Sequence, residues 1–144
     1  MGDRQSEKHV SDLMQADVVT FGRNDRLSDV NELMKDRNVR HVVVLDEDDR
    51  VCGVVSQREL YRGALMRALG YGSHLTDKML NEYVVKEAMS SELHVTSKDT
   101  RASEAAGLML KKKIGCLPVL DDKKLIGIVT ESDFLKLVAD GINC

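Results

Sequence analysis

The chain has 144 residues, of which 42% are hydrophobic and 31% charged, with a net charge of −3. That length holds one ordinary domain or two very small ones, with enough apolar residues for a real core. The mild negative balance excludes general binding to nucleic acid or anionic membranes, which needs concentrated Lys and Arg, so an anionic ligand must be met by a local pocket. Aromatic residues are only 3%, with no Trp, which removes the stacking platform of a single-strand binder. Cys52, Cys116 and Cys144 are odd in number and form no C-x-x-C pair, which suits idle thiols in a reducing cytosol.

In chain order, residues 1–9 form a polar tail without the apolar run of a signal peptide, and no later stretch has the length of a membrane span. "DVVTF" then reads as a short strand. "RLSDVNELMKDRN" reads as a helix, its apolar positions Leu27, Val30, Leu33 and Met34 falling on helical spacing. Ser28 or Asp25 is expected to cap it. "HVVVL" and "RVCGVVS" are strands joined by the polar turn "DEDD", and "QRELYRGALMRAL" follows as a helix. Residues 63–84 are read as a connector. Its first part extends that helix to Leu69, Gly70 and Gly72 break it, and "SHLTDKMLNEY" forms another short helix.

The same order then repeats. "ELHVTS" is a strand, "RASEAAGLMLKKK" a helix with Ser103 or Asp99 as its cap, "CLPVL" and "LIGIVT" are strands across "DDKK", and "ESDFLKLVAD" is a helix. Residues 10–62 lie over 85–137 at one offset: Val10 on Val85, Met14 on Met89, Arg26 on Arg101, Ser28 on Ser103. The offset drops by one in the turn, so that Gly53 matches Gly127 and Val55 matches Val129. Each copy is therefore strand–helix–strand–strand–helix. The helical crossover allows a parallel first pair, and the tight turn demands an antiparallel second pair. One copy of about fifty residues buries too little surface to stand comfortably alone. The expected fold is thus α/β, with two repeats, each with a small mixed sheet, packed about a rough twofold axis. The domain reading is a tail over 1–9, a first repeat over 10–62, a helical linker over 63–84 and a second repeat over 85–144.

Both copies end their last strand in a hydroxyl residue with an acid three positions later: Ser56-x-x-Glu59 and Thr130-x-x-Asp133. As a capping box this stabilises each helix by about 1 kcal/mol. The same place, a helix N-terminus directly after a buried strand, also suits a phosphate, because free backbone N–H groups and the positive dipole end meet there. A carboxylate one turn in can accept both hydroxyls of a ribose. The two readings are compatible. His9, His41, His74 and His94 show no metal-ligand spacing, and no nucleophile–base pair can be proposed, so catalysis is not expected.

The repeat, above all "KKKIGCLPVLDDKKLIGIVTESDFLKL", closely resembles the CBS domain, named after cystathionine beta-synthase. Two such repeats resemble a Bateman module. The resemblance implies a regulatory, non-catalytic, cytoplasmic protein, often a homodimer. It implies binding of AMP, ADP or ATP in the cleft between repeats, and a signal passed to an effector protein. The ligand is regulatory and no cofactor is implied. The alternatives are a ligand-free dimerisation or docking module and a binder of S-adenosylmethionine or NAD. At the main site the resemblance assigns Asp133 to the ribose diol and Thr130 and Ser132 to phosphate or ribose. Val18, Val19 and Val39 go to adenine, and Arg40 and His41 to phosphates. The weaker second site takes Ser56, Arg58 and Glu59, with Ser90, Leu93, His94, Ile114, Gly115 and Cys116. There Glu59 replaces the expected Asp, and its extra methylene moves the carboxylate by roughly 1.5 Å. Gly115 also removes the cation that Arg40 supplies at the matching position.

Overall fold

A computed structural model of the chain describes residues 7–61, 83–90 and 92–141. The connector helices expected over 63–84, with Met66, His74 and Met79, lie outside the described residues apart from its last two positions, as does Cys144. The chain forms two compact units, one made of residues 19–93 and the other of residues 1–18 together with 94–144. The sequence repeats start at 10 and 85, so each unit takes up the segment that leads into the other repeat.

In the first-repeat unit, β1 (Thr20–Gly22), β2 (His41–Leu45) and β3 (Val51–Ser56) form a sheet in that order. The β1–β2 pair is parallel, with Thr20 opposite Val43, and the β2–β3 pair antiparallel, with His41 opposite Ser56. Helix α2 (Leu27–Arg37) makes the crossover. The second unit repeats the pattern with β4 (Thr96–Ser97), β5 (Cys116–Asp121) and β6 (Lys124–Thr130), crossed by α3 (Ala102–Lys112) and closed by α4 (Glu131–Ala139). Its leading segment carries the short helix α1 (Val10–Leu13). The expected mixed α/β units are therefore observed, although "DVVTF" and "ELHVTS" pair only over their C-terminal residues.

The central strands are apolar from Val42 to Leu45 and from Cys116 to Leu120, because both faces of each sheet are covered. Val42, Val43 and Val44 are all fully buried, as are Leu117 and Val119. Pro118 is tolerated in the middle strand because β4 begins at Thr96, opposite Val119, and leaves the Pro118 position unpaired on that side. One core gathers Leu27, Val30, Met34, Val42, Val44, Val55 and Leu60 with Val85. The other gathers Ala105, Met109, Leu117, Val119 and Val129 with Val10. Each core thus takes one fully buried valine from the leading segment of the other repeat. The buried stripe of α2 is Leu27, Val30, Asn31 and Met34, so Asn31 takes the place expected for Leu33.

The expected side-chain caps on α2 and α3 are not what closes these helices. Arg26 and Arg101 stand at the N-cap positions without a side-chain cap bond. The first free N–H of α2, from Leu27, donates to the Tyr83 carbonyl at 2.9 Å, and that of α3, from Ala102, donates to the Lys8 carbonyl at 2.8 Å. The leading segments thus supply backbone acceptors where a Ser or Asp would otherwise serve. Asp25 instead accepts the Gly22 N–H at 2.7 Å, and Ser103 donates to Glu7 at 2.9 Å. At the other end, Asn38 and Lys113 adopt left-handed conformations, with φ of 53° and 58°. The next N–H in each case returns to Met34 or Met109, a Schellman-type closure.

The turn deletion has a plain cause. In the second unit Asp122 and Lys123 both have positive φ, making a two-residue turn between the paired Asp121 and Lys124. In the first unit the turn is longer. There Asp46 accepts the N–H groups of Asp48 at 2.9 Å and Arg50 at 3.0 Å.

Candidate functional site

Asp133 is the third residue of α4, and its side chain folds back onto the end of β6. Oδ2 accepts the Thr130 N–H at 2.8 Å and the Thr130 hydroxyl at 3.3 Å. Oδ1 accepts Nε2 of Gln15 at 3.2 Å. The residue is 5% exposed, one of three buried polar or charged residues among those described. A buried carboxylate needs such partners, since desolvation without them is costly. The position also lies at the positive end of the α4 dipole, which favours an anion.

Local packing fixes this junction. Gly127, buried on β6, faces the leading segment so closely that a Cβ there would stand 2.7 Å from Met14 Sδ and 2.9 Å from the Gln15 carbonyl. The backbone of Gln15 exchanges two hydrogen bonds with Ile128, each 2.9 Å. Glycine therefore lets the leading segment lie on β6, and that contact delivers Gln15 to Asp133.

The remaining predicted residues divide between the units. Thr130 and Cys116 are register partners, and the Gly115 carbonyl accepts the Glu131 N–H at 3.1 Å, so Ile114, Gly115 and Cys116 adjoin the Thr130–Asp133 motif. Ser132 is exposed on α4. Val18 and His94 belong to this unit as well. In the other unit the Val19 carbonyl accepts the Val43 N–H at 3.1 Å, and the Arg40 carbonyl accepts the Gln57 N–H at 2.8 Å. His41 stands opposite Ser56 there, and Val39 packs on the core. Arg58 and Glu59 are exposed on the helix that opens at residue 57. Ser56 Oγ accepts the Glu59 N–H at 3.1 Å. Ser90 donates its hydroxyl to the Glu92 carbonyl at 3.1 Å, and Leu93 is 37% exposed. Within each unit, then, Arg40 and His41 adjoin Ser56–Glu59, while Gly115 and Cys116 adjoin Thr130–Asp133.

Gln15 was absent from the residues expected at the site. Its signal was in the repeat: at the common offset Gln15 lies on Ser90, which had been singled out. Among the described residues no three His, Cys, Asp or Glu side chains cluster as metal ligands, and no helix is long and apolar enough to cross a membrane. An open hollow of about 630 Å³ in the second unit lies between β4, α3 and the Asp121–Lys124 turn. None of the predicted ligand residues lines it.

The family model of the CBS domain matches twice, over residues 10–65 and 85–140, so the chain belongs to the CBS-domain family and carries a pair of these domains. It is 31% identical to AcuB of Vibrio cholerae, a protein named for acetoin utilization; the match covers 93% of this chain and 92% of that one, with a TM-score of 0.72. The CBS domain pair of protein MJ0100, solved in complex with 5′-methylthioadenosine and S-adenosyl-L-methionine, shares the fold at 20% identity and a TM-score of 0.74, over 94% of this chain and 99% of that one. The uncharacterized protein MK0525 of Methanopyrus kandleri is 29% identical over 129 residues, 89% of this chain. The chain spans 61% of the length of that relative, and 32% and 42% of two longer ones from Methanocaldococcus jannaschii.

Proposed function

We propose that this CBS-domain pair is a regulatory sensor of an adenosine nucleotide of the AMP, ADP or ATP type. One observation carries the reading: a buried carboxylate, Asp133, held at a helix N-terminus directly after a buried strand. Asp133 is proposed to accept the ribose hydroxyls. Thr130, Ser132 and the positive dipole end of α4 meet the phosphate side. Val18, Val19 and Val39 are the proposed adenine contacts, and Arg40 and His41 the phosphate contacts. Ser56, Arg58 and Glu59, with Ser90, Leu93, His94, Ile114, Gly115 and Cys116, form the weaker second set. The ligand acts by differential affinity: it favours the arrangement in which it makes more contacts, and that bias is the signal. The proposed protein is non-catalytic, cytoplasmic and homodimeric, and reports to an effector protein. MJ0100, with its adenosyl ligands, favours S-adenosylmethionine as the next ligand to test.

A second reading has its own observation. Both oxygens of Asp133 already accept hydrogen bonds from the chain, which is what a ligand-free docking module would show. Calorimetry on the full chain with AMP, ADP, ATP, S-adenosylmethionine and NAD separates the two. Heat with one of them, lost in Asp133→Ala while the circular dichroism is unchanged, supports the sensor. No heat with any of them leaves the docking module.

A further inference from the structure

If Asp133 takes a ribose, as proposed above, it must first be uncovered, and we propose that Gln15 is an internal placeholder for the ribose hydroxyls. An ionised carboxylate offers about four acceptor positions. Three are taken among the described residues: two on Oδ2 by the Thr130 N–H and hydroxyl, and one on Oδ1 by Gln15 Nε2. A cis-diol brings two donors and finds one position open, so one resident donor has to leave. The Thr130 N–H is the shortest bond, at 2.8 Å, and is fixed by the strand–helix junction. Turning the Thr130 hydroxyl away frees one position on Oδ2, whereas the departure of Gln15 leaves both positions of Oδ1 to the diol.

Gln15 can leave at little cost. Its bond is long, at 3.2 Å, and donated by a neutral amide. The residue is exposed, so a released amide is rehydrated at once. Its backbone is pinned separately by the two bonds to Ile128, so the side chain swings without moving the strand. The arrangement is peculiar to this copy. The matching Ser90 is shorter and spends its hydroxyl on the Glu92 carbonyl, and the matching acid, Glu59, is exposed. Gln15 thus keeps a buried acid partnered in the empty protein; a ligand with both ribose hydroxyls displaces it, whereas a ligand with a single hydroxyl uses the open position and leaves it in place.

The test is calorimetric titration of AMP and 2′-deoxy-AMP into the full chain as wild type, Gln15→Ala and Gln15→Asn, with circular dichroism to confirm folding. Asn is one methylene too short to reach and guards against an unexpected defect in the Ala variant. Removing the placeholder raises the free energy of the empty site, so both variants should bind AMP about three- to tenfold tighter, while 2′-deoxy-AMP, which needs only the open position, should change by less than about twofold. AMP binding by the wild type that is equal or weaker in both variants overturns the placeholder alone. No AMP binding by wild type or variants removes the AMP reading of the site, and the placeholder with it.

Discussion

The two copies of the strand-end motif share one backbone and differ in what the acid does. In the second repeat Asp133 is buried and reaches back to the Thr130 N–H, and a side chain from the leading segment covers its other oxygen. In the first repeat Glu59 is exposed, and it is the hydroxyl of Ser56 that accepts the Glu59 N–H. One methylene separates Asp from Glu, and two heavy atoms separate Gln15 from Ser90 in reach. Those small differences convert a helix start into a buried anionic site in one copy and leave it a surface cap in the other. The shared frame puts an acid at the same place in both copies; the lengths of two side chains go with its being buried and partnered in one and exposed in the other.

The sharpest way to break the comparison is at the paired glycines. A Cβ on Gly127 would meet a backbone carbonyl, that of Gln15, at 2.9 Å, besides Met14 Sδ at 2.7 Å. At Gly53 the nearest atoms, Met89 Sδ at 2.9 Å and two further atoms of the same side chain, belong to a flexible residue. Gly127→Ala should therefore cost about 2–3 kcal/mol, and Gly53→Ala about 1 kcal/mol, because only a side chain has to yield there. Urea denaturation of the two variants measures this. Equal losses would show that the leading segment does not depend on Gly127 to lie on β6.

Next in size is the ligand side. Asp133→Ala removes the charged acceptor proposed for the ribose and should weaken AMP binding by about tenfold or more, whereas Glu59→Ala should change it by less than about twofold. Isothermal titration of both variants decides it, and a larger loss in Glu59→Ala would reverse the ranking of the two sites. Smaller again is a repair. Glu59→Asp gives the first copy the shorter acid, and should raise the affinity of a second AMP binding event by about threefold.

The repeat made the fold legible: a constant offset and period-matched segments pointed to two mixed sheets, their parallel and antiparallel pairs, and a one-residue deletion in the second turn. What it hid was the exchange of leading segments. Val10 and Val85 read as the first residues of their own repeats, yet each fills the other repeat's core. For the same reason Ser28, Asp25, Ser103 and Asp99 looked like caps, since local sequence cannot show that a carbonyl from Lys8 or Tyr83 arrives at the helix end. Asp133 was legible from its spacing as an acid at the strand end, its ribose role being implied only by the family resemblance. Gln15 was not, because 118 residues separate it from the acid it touches, and only Gly127 lets the two meet.

The smallest effects distinguish the two β-turns by pH. In the first repeat the Arg50 N–H, above all, bonds the Asp46 carboxylate and holds its pKa below the usual 3.8. A depressed acid stabilises the fold above its unfolded value, and that contribution disappears as pH falls through the folded one. In the second repeat the hydrogen bond to Asp121, at 3.1 Å, raises the Lys98 pKa above 10.5. A raised base acts in the opposite sense: its contribution is complete below the unfolded value and is lost as pH rises through the folded one. Denaturant midpoints should therefore converge for wild type and Asp46→Asn as pH falls well below 3.8, and for wild type and Lys98→Met as pH rises well above 10.5. Lys98 and Asp121 are both solvent-exposed, so their gap should also shrink in about 1 M salt. The Asp46 gap should persist in that salt, because backbone N–H groups at 2.9 and 3.0 Å hold the carboxylate and not a distant cation. A salt response shared by both turns would mean that charge, rather than turn geometry, stabilises the first.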